Sequence, residues 1–204
     1  VNPFDTKART WDSTPGRTLR ARTVAEAIRR RVPFTPGMRA LEYGCGTGLL
    51  SFALQPFPGT ITLADSSAEM LSVLAEKIAA AGAVNMTALR LDLTADPPPA
   101  ERFDLIYTLM ALHHIPDTQG ILRAFHTMLA EDGRLCVADL DREDGSFHSP
   151  GFFGHHGFDR TELERLCTHC GFREIAFQTV YRMTKVRDGG RKSFPLFLMT
   201  ARRK

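Results

Sequence analysis

The chain has 204 residues, 43% hydrophobic and 24% charged, with a formal net charge of +3. This length fits one domain with a full core, and the composition excludes disordered and fibrous classes. The charge is uneven. Residues 182–204 hold Arg182, Lys185, Arg187, Arg191, Lys192, Arg202, Arg203 and Lys204 against Asp188, so this end is +7 and the remainder −4.

No apolar run approaches the roughly 20 residues needed to cross a bilayer, so no membrane span is expected. The stretch from Val1 to Arg20 is polar and lacks the apolar centre of a signal peptide. Cys45, Cys136, Cys167 and Cys170 are too scattered for a disulfide scaffold. They suit a reducing, cytoplasmic location.

In chain order, Leu19 to Val32 has apolar residues at helical spacing and stops before Pro33. Met38 to Tyr43 reads as a first strand, Thr47 to Leu54 as a helix and Ile61 to Ala64 as a second strand. Ser66 and Glu69 have the spacing of a capping box, opening a helix that ends near Gly82. Val84 to Leu91 is a third strand. Phe103 to Leu109, nearly all apolar, is a fourth strand buried on both faces. A helix from Thr118 to Leu129 and an Asp132-Gly133 turn lead into a fifth strand, Arg134 to Leu140. Asp159 and Glu162 cap a helix from Arg160 to Cys170, and Gly171 stops it. Two strands follow, near Phe172 to Tyr181 and Phe194 to Thr200.

Five strands alternating with helices predict a parallel sheet with right-handed crossovers. The last two are separated by a loop around Arg187 to Ser193, too short for a parallel crossover, so they form an antiparallel hairpin. Ligands of such sheets bind beyond the carboxyl ends of the strands.

Three features meet there. Glu42-Tyr43-Gly44-Cys45-Gly46-Thr47-Gly48 leaves the first strand, and its glycines permit a tight turn and close ligand approach. Asp65 ends the second strand, where a carboxylate can take ribose hydroxyls, and Asp92 ends the third, where it can accept from an adenine amino group. A dinucleotide site wants G-x-G-x-x-G and a free helix N-terminus for pyrophosphate. Here the spacing is G-x-G-x-G after a carboxylate, which repels pyrophosphate and attracts a cation. An adenosine with a positive centre describes S-adenosylmethionine.

The chain resembles the class I S-adenosylmethionine-dependent methyltransferases, nearest to the small-molecule branch that includes the ubiquinone/menaquinone C-methyltransferases. The matching stretches are Ala40-Leu-Glu-Tyr-Gly-Cys-Gly-Thr-Gly48, Ile61-Thr-Leu-Ala-Asp65, Leu91-Asp92-Leu93 and Phe103-Asp-Leu-Ile-Tyr-Thr-Leu-Met-Ala-Leu-His-His-Ile115. The Gly133-Arg-Leu turn and His156-Gly-Phe-Asp-Arg-Thr-Glu-Leu163 also match. The resemblance implies an α/β fold, a Rossmann-like seven-stranded sheet of order 3-2-1-4-5-7-6 with the last strand antiparallel and helices on both faces. It implies S-adenosyl-L-methionine as cofactor and S-adenosyl-L-homocysteine as product. By position, Glu42, Gly44 and Gly46 flank the methionine part, Asp65 binds ribose, and Ser66 and Met70 lie near the adenosine. Asp92 and Leu93 meet adenine, and Thr108 and Leu109 face the methionine moiety.

Methyl transfer from a sulfonium is an in-line displacement that needs a base only if the nucleophile must lose a proton. His113 and His114 follow the fourth strand and are candidates to reach the acceptor, or to pack the loop. His155 and His156 precede the last helix in a Gly-rich, aromatic stretch that also holds His148, Phe152, Phe153 and Phe158. His156 is a further catalytic candidate there. No histidine spacing matches a zinc signature, so no metal is expected. Cys167-Thr-His-Cys170 lacks a second pair and reads as buried helix positions.

The chain is thus expected to be a single methyltransferase domain over 1–204, a monomer or homodimer. Residues 1–35 form an N-terminal helical cap and 141–158 a lid over the acceptor. Phe4 and Trp11 of the cap, with Tyr43, are placed to cover the cofactor. The expected acceptor is a small molecule. A nucleic-acid (RNA) methyltransferase and a non-catalytic cofactor-binding protein are the alternatives. Thr108-Leu-Met-Ala-Leu112 stands where adenine amino-methyltransferases carry Asn/Asp-Pro-Pro-Tyr, so nucleic acid is not the expected partner. The basic end reads as a solvated turn, Arg187 to Lys192, and a free tail, Arg202 to Lys204.

Overall fold

Seven apolar runs form one sheet in the computed structural model, which describes residues 2–187 and 190–204. The strands are β1 (Arg39–Tyr43), β2 (Thr60–Asp65), β3 (Met86–Arg90), β4 (Phe103–Leu109), β5 (Leu129–Leu140), β6 (Phe172–Arg187) and β7 (Gly190–Arg203). Their order is β3-β2-β1-β4-β5-β7-β6. β1 to β5 pair in parallel, and β7 runs antiparallel to both β5 and β6. The expected order and antiparallel last strand are both present.

Helices cover both faces because alternate strand residues point to opposite sides. Helices α1 (Pro15–Arg31), α2 (Leu49–Leu54) and α3 (Ala68–Ala81) pack Val24, Ile28, Leu54 and Leu74 on the face that holds Leu105 and Tyr107. Helices α4 (Thr118–Met128) and α5 (Arg160–His169) pack Leu122, Phe125, Leu163 and Cys167 against Leu41, Ile106 and Phe197. Each fully buried side chain of this size contributes roughly 1.5–3 kcal/mol.

Several element ends differ from expectation. α1 starts at Pro15 rather than Leu19, because Pro at the first helical position is pre-set for the helix and has no N–H to lose. A 3-10 helix, Asp5–Ser13, precedes it. Ser67, not Ser66, caps α3: its backbone is extended and its Oγ accepts from Met70 N at 3.1 Å. Ser66 Oγ instead accepts from Asn2 Nδ2 at 2.9 Å.

The largest difference lies at the basic end. β6 and β7 run well past the apolar residues, and Lys185 pairs with Lys192 in register. Like charges opposite each other oppose pairing, but both lysines have partners in the segment after β5. Lys185 Nζ donates to Phe147 O at 2.7 Å and lies 3.4 Å from the Phe147 ring centroid. Lys192 Nζ donates to Asp144 Oδ2 at 2.9 Å, and Arg187 Nε to Ser146 O at 2.7 Å. The described part of Arg187 to Lys192 is therefore ladder, not a solvated turn; residues 188 and 189 lie outside the described ones. Arg202 and Arg203 are not a free tail either. Arg202 pairs with Asp132 at 2.8 Å and Glu174 at 3.0 Å, and Arg203 donates to Leu129 O. Among the described residues no helix is long and apolar enough to cross a membrane.

Candidate functional site

The glycine turn after β1 is shaped by what crowds it. Gly44, Gly46 and Gly48 have φ of 70, 54 and 81°, the left-handed region that side chains disfavour. A β-carbon on Gly44 would lie 2.5 Å from Ala111 Cβ, so only glycine lets the chain after β4 approach. That chain turns at Met110, a non-glycine residue with φ of 57° whose N–H donates to Ala138 O at 2.8 Å. Such a left-handed residue at a strand end is strain held by its surroundings.

The ends of β1 and β2 are joined directly. Asp65 accepts from Gly46 N at 2.7 Å and from Ser67 N at 2.8 Å. A carboxylate has about four acceptor positions, so two donors leave capacity for others. Burial pushes the Asp65 pKa up, opposed by these N–H donors. Tyr43 Oη accepts from Leu93 N at 3.0 Å, which ties β1 to the end of β3. Asp92 Oδ1 accepts from Thr94 N and Oγ1. A cavity of about 410 Å³ is lined by Ser66, Arg90, Asp92, Ala95 and Asp96.

Glu42, 2% exposed, lies beneath the turn. Its Oε2 accepts from Ser51 N at 3.1 Å and from Ser51 Oγ, which also meets Tyr107 Oη at 2.6 Å. Burial pushes its pKa to about 8, so the carboxyl is largely neutral near pH 7 and does not supply the cation-attracting charge expected from the sequence. Met70 is buried, with its sulfur 3.9 Å from the position of a Gly46 β-carbon. Thr108 is buried, with Oγ1 unpartnered among the described residues, and Leu109 is half-buried.

The N-terminal 3-10 helix lies across this turn. Asp5 accepts from Ser67 Oγ at 2.6 Å. Asp12 accepts from Thr47 Oγ1 at 2.5 Å and from Lys77 Nζ at 2.6 Å. Trp11 Nε1 is 3.6 Å from the position of a Gly46 β-carbon.

Beside the turn, the chain after β4 forms a cluster of rings. His113 is fully buried, and its Nδ1 lies 2.6 Å from Asp139 Oδ1. Asp139 also accepts from His113 N at 3.2 Å and Leu140 N at 2.7 Å. His114 is 4.2 Å from His113 between ring centroids, and His148 is 5.1 Å from His113. Phe152 stacks on His148 at 3.7 Å and 13°, and Phe4 meets His114 edge-on at 5.0 Å. Burial lowers the His114 pKa to about 3 and the His148 pKa to about 4, so both rings are neutral near pH 7.

The His155 and His156 rings flank this cluster: His155 N donates to His113 O at 2.7 Å, and the His156 ring lies 6.1 Å from Phe152. His155 Nε2 packs against Thr118 Oγ1 at 3.1 Å and Ile115 O at 3.0 Å. The exposed His156 has Nδ1 3.4 Å from Glu143 Oε1. Two members of the neighbourhood escape a reading of the sequence. Asp139 is hidden in the apolar run of β5, where its acidity is the available signal. His148 stands out only as part of an aromatic stretch. The cysteines of Cys167-Thr-His-Cys170 are free and buried, with Cys167 Sγ 3.6 Å from Met199 Sδ.

A sheet of this order, with a glycine turn and an acid at the next strand end, defines the S-adenosylmethionine-dependent methyltransferase class. The chain belongs to it: a family described as "Methyltransferase domain" matches residues 17–176. It is 30% identical over 185 residues to a ubiquinone biosynthesis O-methyltransferase of Marinobacter nauticus, covering 81% of this chain and 77% of that protein. It is 36% identical over 119 residues to an uncharacterized methyltransferase of Schizosaccharomyces pombe, covering 55% of this chain and 42% of that one. The chain spans less than half the length of several other curated relatives it matches, ubiquinone biosynthesis O-methyltransferases among them. In fold it is similar to a Haloferax volcanii structure described as a complex between the Trm112 methyltransferase activator and the putative methyltransferase. That likeness has a TM-score of 0.76 at 17% identity and covers 99% of this chain and 97% of that one.

The residues present fit the class's cofactor, S-adenosylmethionine. Asp65 keeps acceptor capacity at the end of β2, and the cavity between Ser66 and Asp92 opens beside it. The left-handed Gly46 leaves the turn without a β-carbon there.

Proposed function

We propose that the chain transfers a methyl group from S-adenosylmethionine to a small-molecule acceptor. One observation carries the reading: a single glycine turn bonds Asp65 through Gly46 and abuts, through Gly44 and Ala111, the chain that leads into the His113/His114 cluster. Bound there, the cofactor supplies an already activated methyl group on a sulfonium.

The chain's own residues do the rest by holding and enclosing. Asp65 takes the ribose, and Ser66, Met70, Asp92 and Leu93 flank the adenosine. Glu42, Gly44, Gly46, Thr108 and Leu109 surround the methionine part. The 3-10 helix caps this half, and 141–158 closes over the acceptor half. Alignment of the reacting atoms supplies up to about 7–11 kcal/mol of the barrier in favourable cases. His114 meets the acceptor, and the buried His113 stands behind it against Asp139. A ring with a pKa of about 3 is too weak a base to hold a proton at neutral pH, so His114 orients the acceptor rather than deprotonating it. The O-methyltransferase among the relatives favours an oxygen nucleophile. Four free thiols suit a cytoplasmic setting. Cations of the basic hairpin are engaged by the 144–147 segment, which supports a small acceptor over nucleic acid.

Calorimetry with S-adenosylmethionine on the parent and on Asp65→Ala tests the reading. Saturable binding, weakened roughly 10–100-fold by loss of a charged acceptor, is expected. Absence of heat and of thermal stabilisation at saturating cofactor overturns it.

A further inference from the structure

His113, His114 and His148 each bring one ring nitrogen to within 4.8 Å of the others. Asp139 accepts two backbone N–H groups and lies 2.6 Å from His113 Nδ1, a geometry in which the ring gives its Nδ1–H to Asp139. In that tautomer a neutral ring has its acceptor lone pair on Nε2. His113 is fully buried, and among the described residues neither its Nε2 nor that of His148 has a hydrogen-bond partner. A buried acceptor left unpaired costs free energy that a ligand would recover. Ring packing alone explains neither the convergence of the nitrogens nor the carboxylate behind one of them.

We propose that His113, His114 and His148 bind one divalent transition-metal ion of the zinc class, with Asp139 as the carboxylate that orients His113. Imidazoles suit zinc, cobalt, nickel and iron, whereas magnesium and calcium take oxygen donors. A metal-bound histidine characteristically gives its other N–H to a carboxylate, as His113 does to Asp139. Three protein ligands leave positions open for an exogenous ligand. The cluster follows Ala111, which abuts the glycine turn, so an oxygen- or nitrogen-bearing acceptor is the ligand that reaches them.

Bonds of about 2.1 Å set tetrahedral ligand atoms about 3.4 Å apart, so nitrogens that lie within 4.8 Å of one another have to draw together as the ion binds, and His148 is the ring placed to move. His148 lies outside helix and strand, so this shift breaks no ladder bond. Phe152, stacked on it, holds the ring plane. The inference rests on the cluster itself and goes beyond the methyl-transfer reading.

The test uses untagged chain, stripped with a chelator and titrated with Co²⁺ and then Zn²⁺. One Co²⁺ per chain, visible-region bands of a low-coordinate nitrogen site and displacement by Zn²⁺ are expected. Asp139→Asn weakens binding roughly 10–100-fold and His148→Ala by more, while His169→Ala, at an exposed helix position, binds like the parent. The proposal is overturned by no saturable binding at millimolar metal, or by His148→Ala binding as tightly as the parent. S-adenosylmethionine binding is measured on the same metal-free protein. A chain that binds cofactor but no metal sinks only this inference, and one that binds metal but no cofactor sinks only the methyl-transfer reading.

Discussion

Lys185 Nζ donates to the carbonyl of Phe147 at 2.7 Å, one residue before His148. A cation on β6 therefore holds the backbone that positions a ring in the cluster after β4. Lys185 also lies over the Phe147 ring, and Phe147 meets Phe194 of β7 edge-on at 5.2 Å. The basic hairpin thus tethers the 144–148 segment beside the ring cluster.

Lys185→Met keeps the stem and removes the donor and charge. A hydrogen bond and a cation–π contact of this kind contribute about 1–2 kcal/mol together. Amide exchange in residues 143–148 should quicken about tenfold, with cofactor affinity unchanged. Exchange mass spectrometry reads the first and calorimetry the second; unchanged protection would show that the tether contributes nothing.

Gly44→Ala meets two penalties, a left-handed φ and a contact of 2.5 Å with Ala111. The first costs about 1–2 kcal/mol, and the second adds to it. Ala111→Gly in the same chain should recover the steric part and leave the backbone part. Denaturant midpoints of the four variants in this cycle check the split. Equal destabilisation by Gly44→Ala in both backgrounds would rule out the clash.

Glu42 sets a pH dependence. Burial raises its folded pKa from 4.5 to about 8, so the fold favours the protonated form. Its stabilising contribution is complete below about pH 4.5 and is lost as pH rises toward about 8. The shift corresponds to a few kcal/mol. Glu42→Gln, uncharged throughout, should flatten this slope and be the more stable protein at pH 8. Urea unfolding at pH 5, 6.5 and 8 tests it, and parallel curves for parent and variant would contradict it.

Asp12 links the 3-10 helix to Thr47 and Lys77. Asp12→Ala removes a partly buried charged contact of about 1–2 kcal/mol, so the segment should lift more often. Cofactor dissociation should quicken roughly 5–30-fold, since 1.4 kcal/mol is a factor of ten. Stopped-flow displacement measures this, and an unchanged off-rate would mean that the segment does not gate the cofactor.

Local pattern carries most of the fold. Apolar runs, the glycine turn and the acids at Asp65 and Asp92 depend on neighbours within a few residues, so the strands, the final hairpin and the cofactor edge are legible from spacing, whereas the strand order is what the family resemblance implies. The α3 cap lies one residue from its expected place because Ser66 and Ser67 are equivalent until backbone direction chooses between them. The basic hairpin departs from expectation because charge suggests solvent, whereas ladder bonds involve only the backbone and accept any side chain with a partner.

By itself the sequence determined the α/β sheet, its antiparallel last strand and the glycine–acid edge that marks the methyltransferase class. Only the tertiary structure decided that His148, 34 residues beyond His114, joins it and His113 in front of Asp139. It also decided that Lys185 and Arg187 hold the segment between them. Such contacts bring together residues far apart in the chain, and their energy comes from burial and directed hydrogen bonds that leave no local period to read.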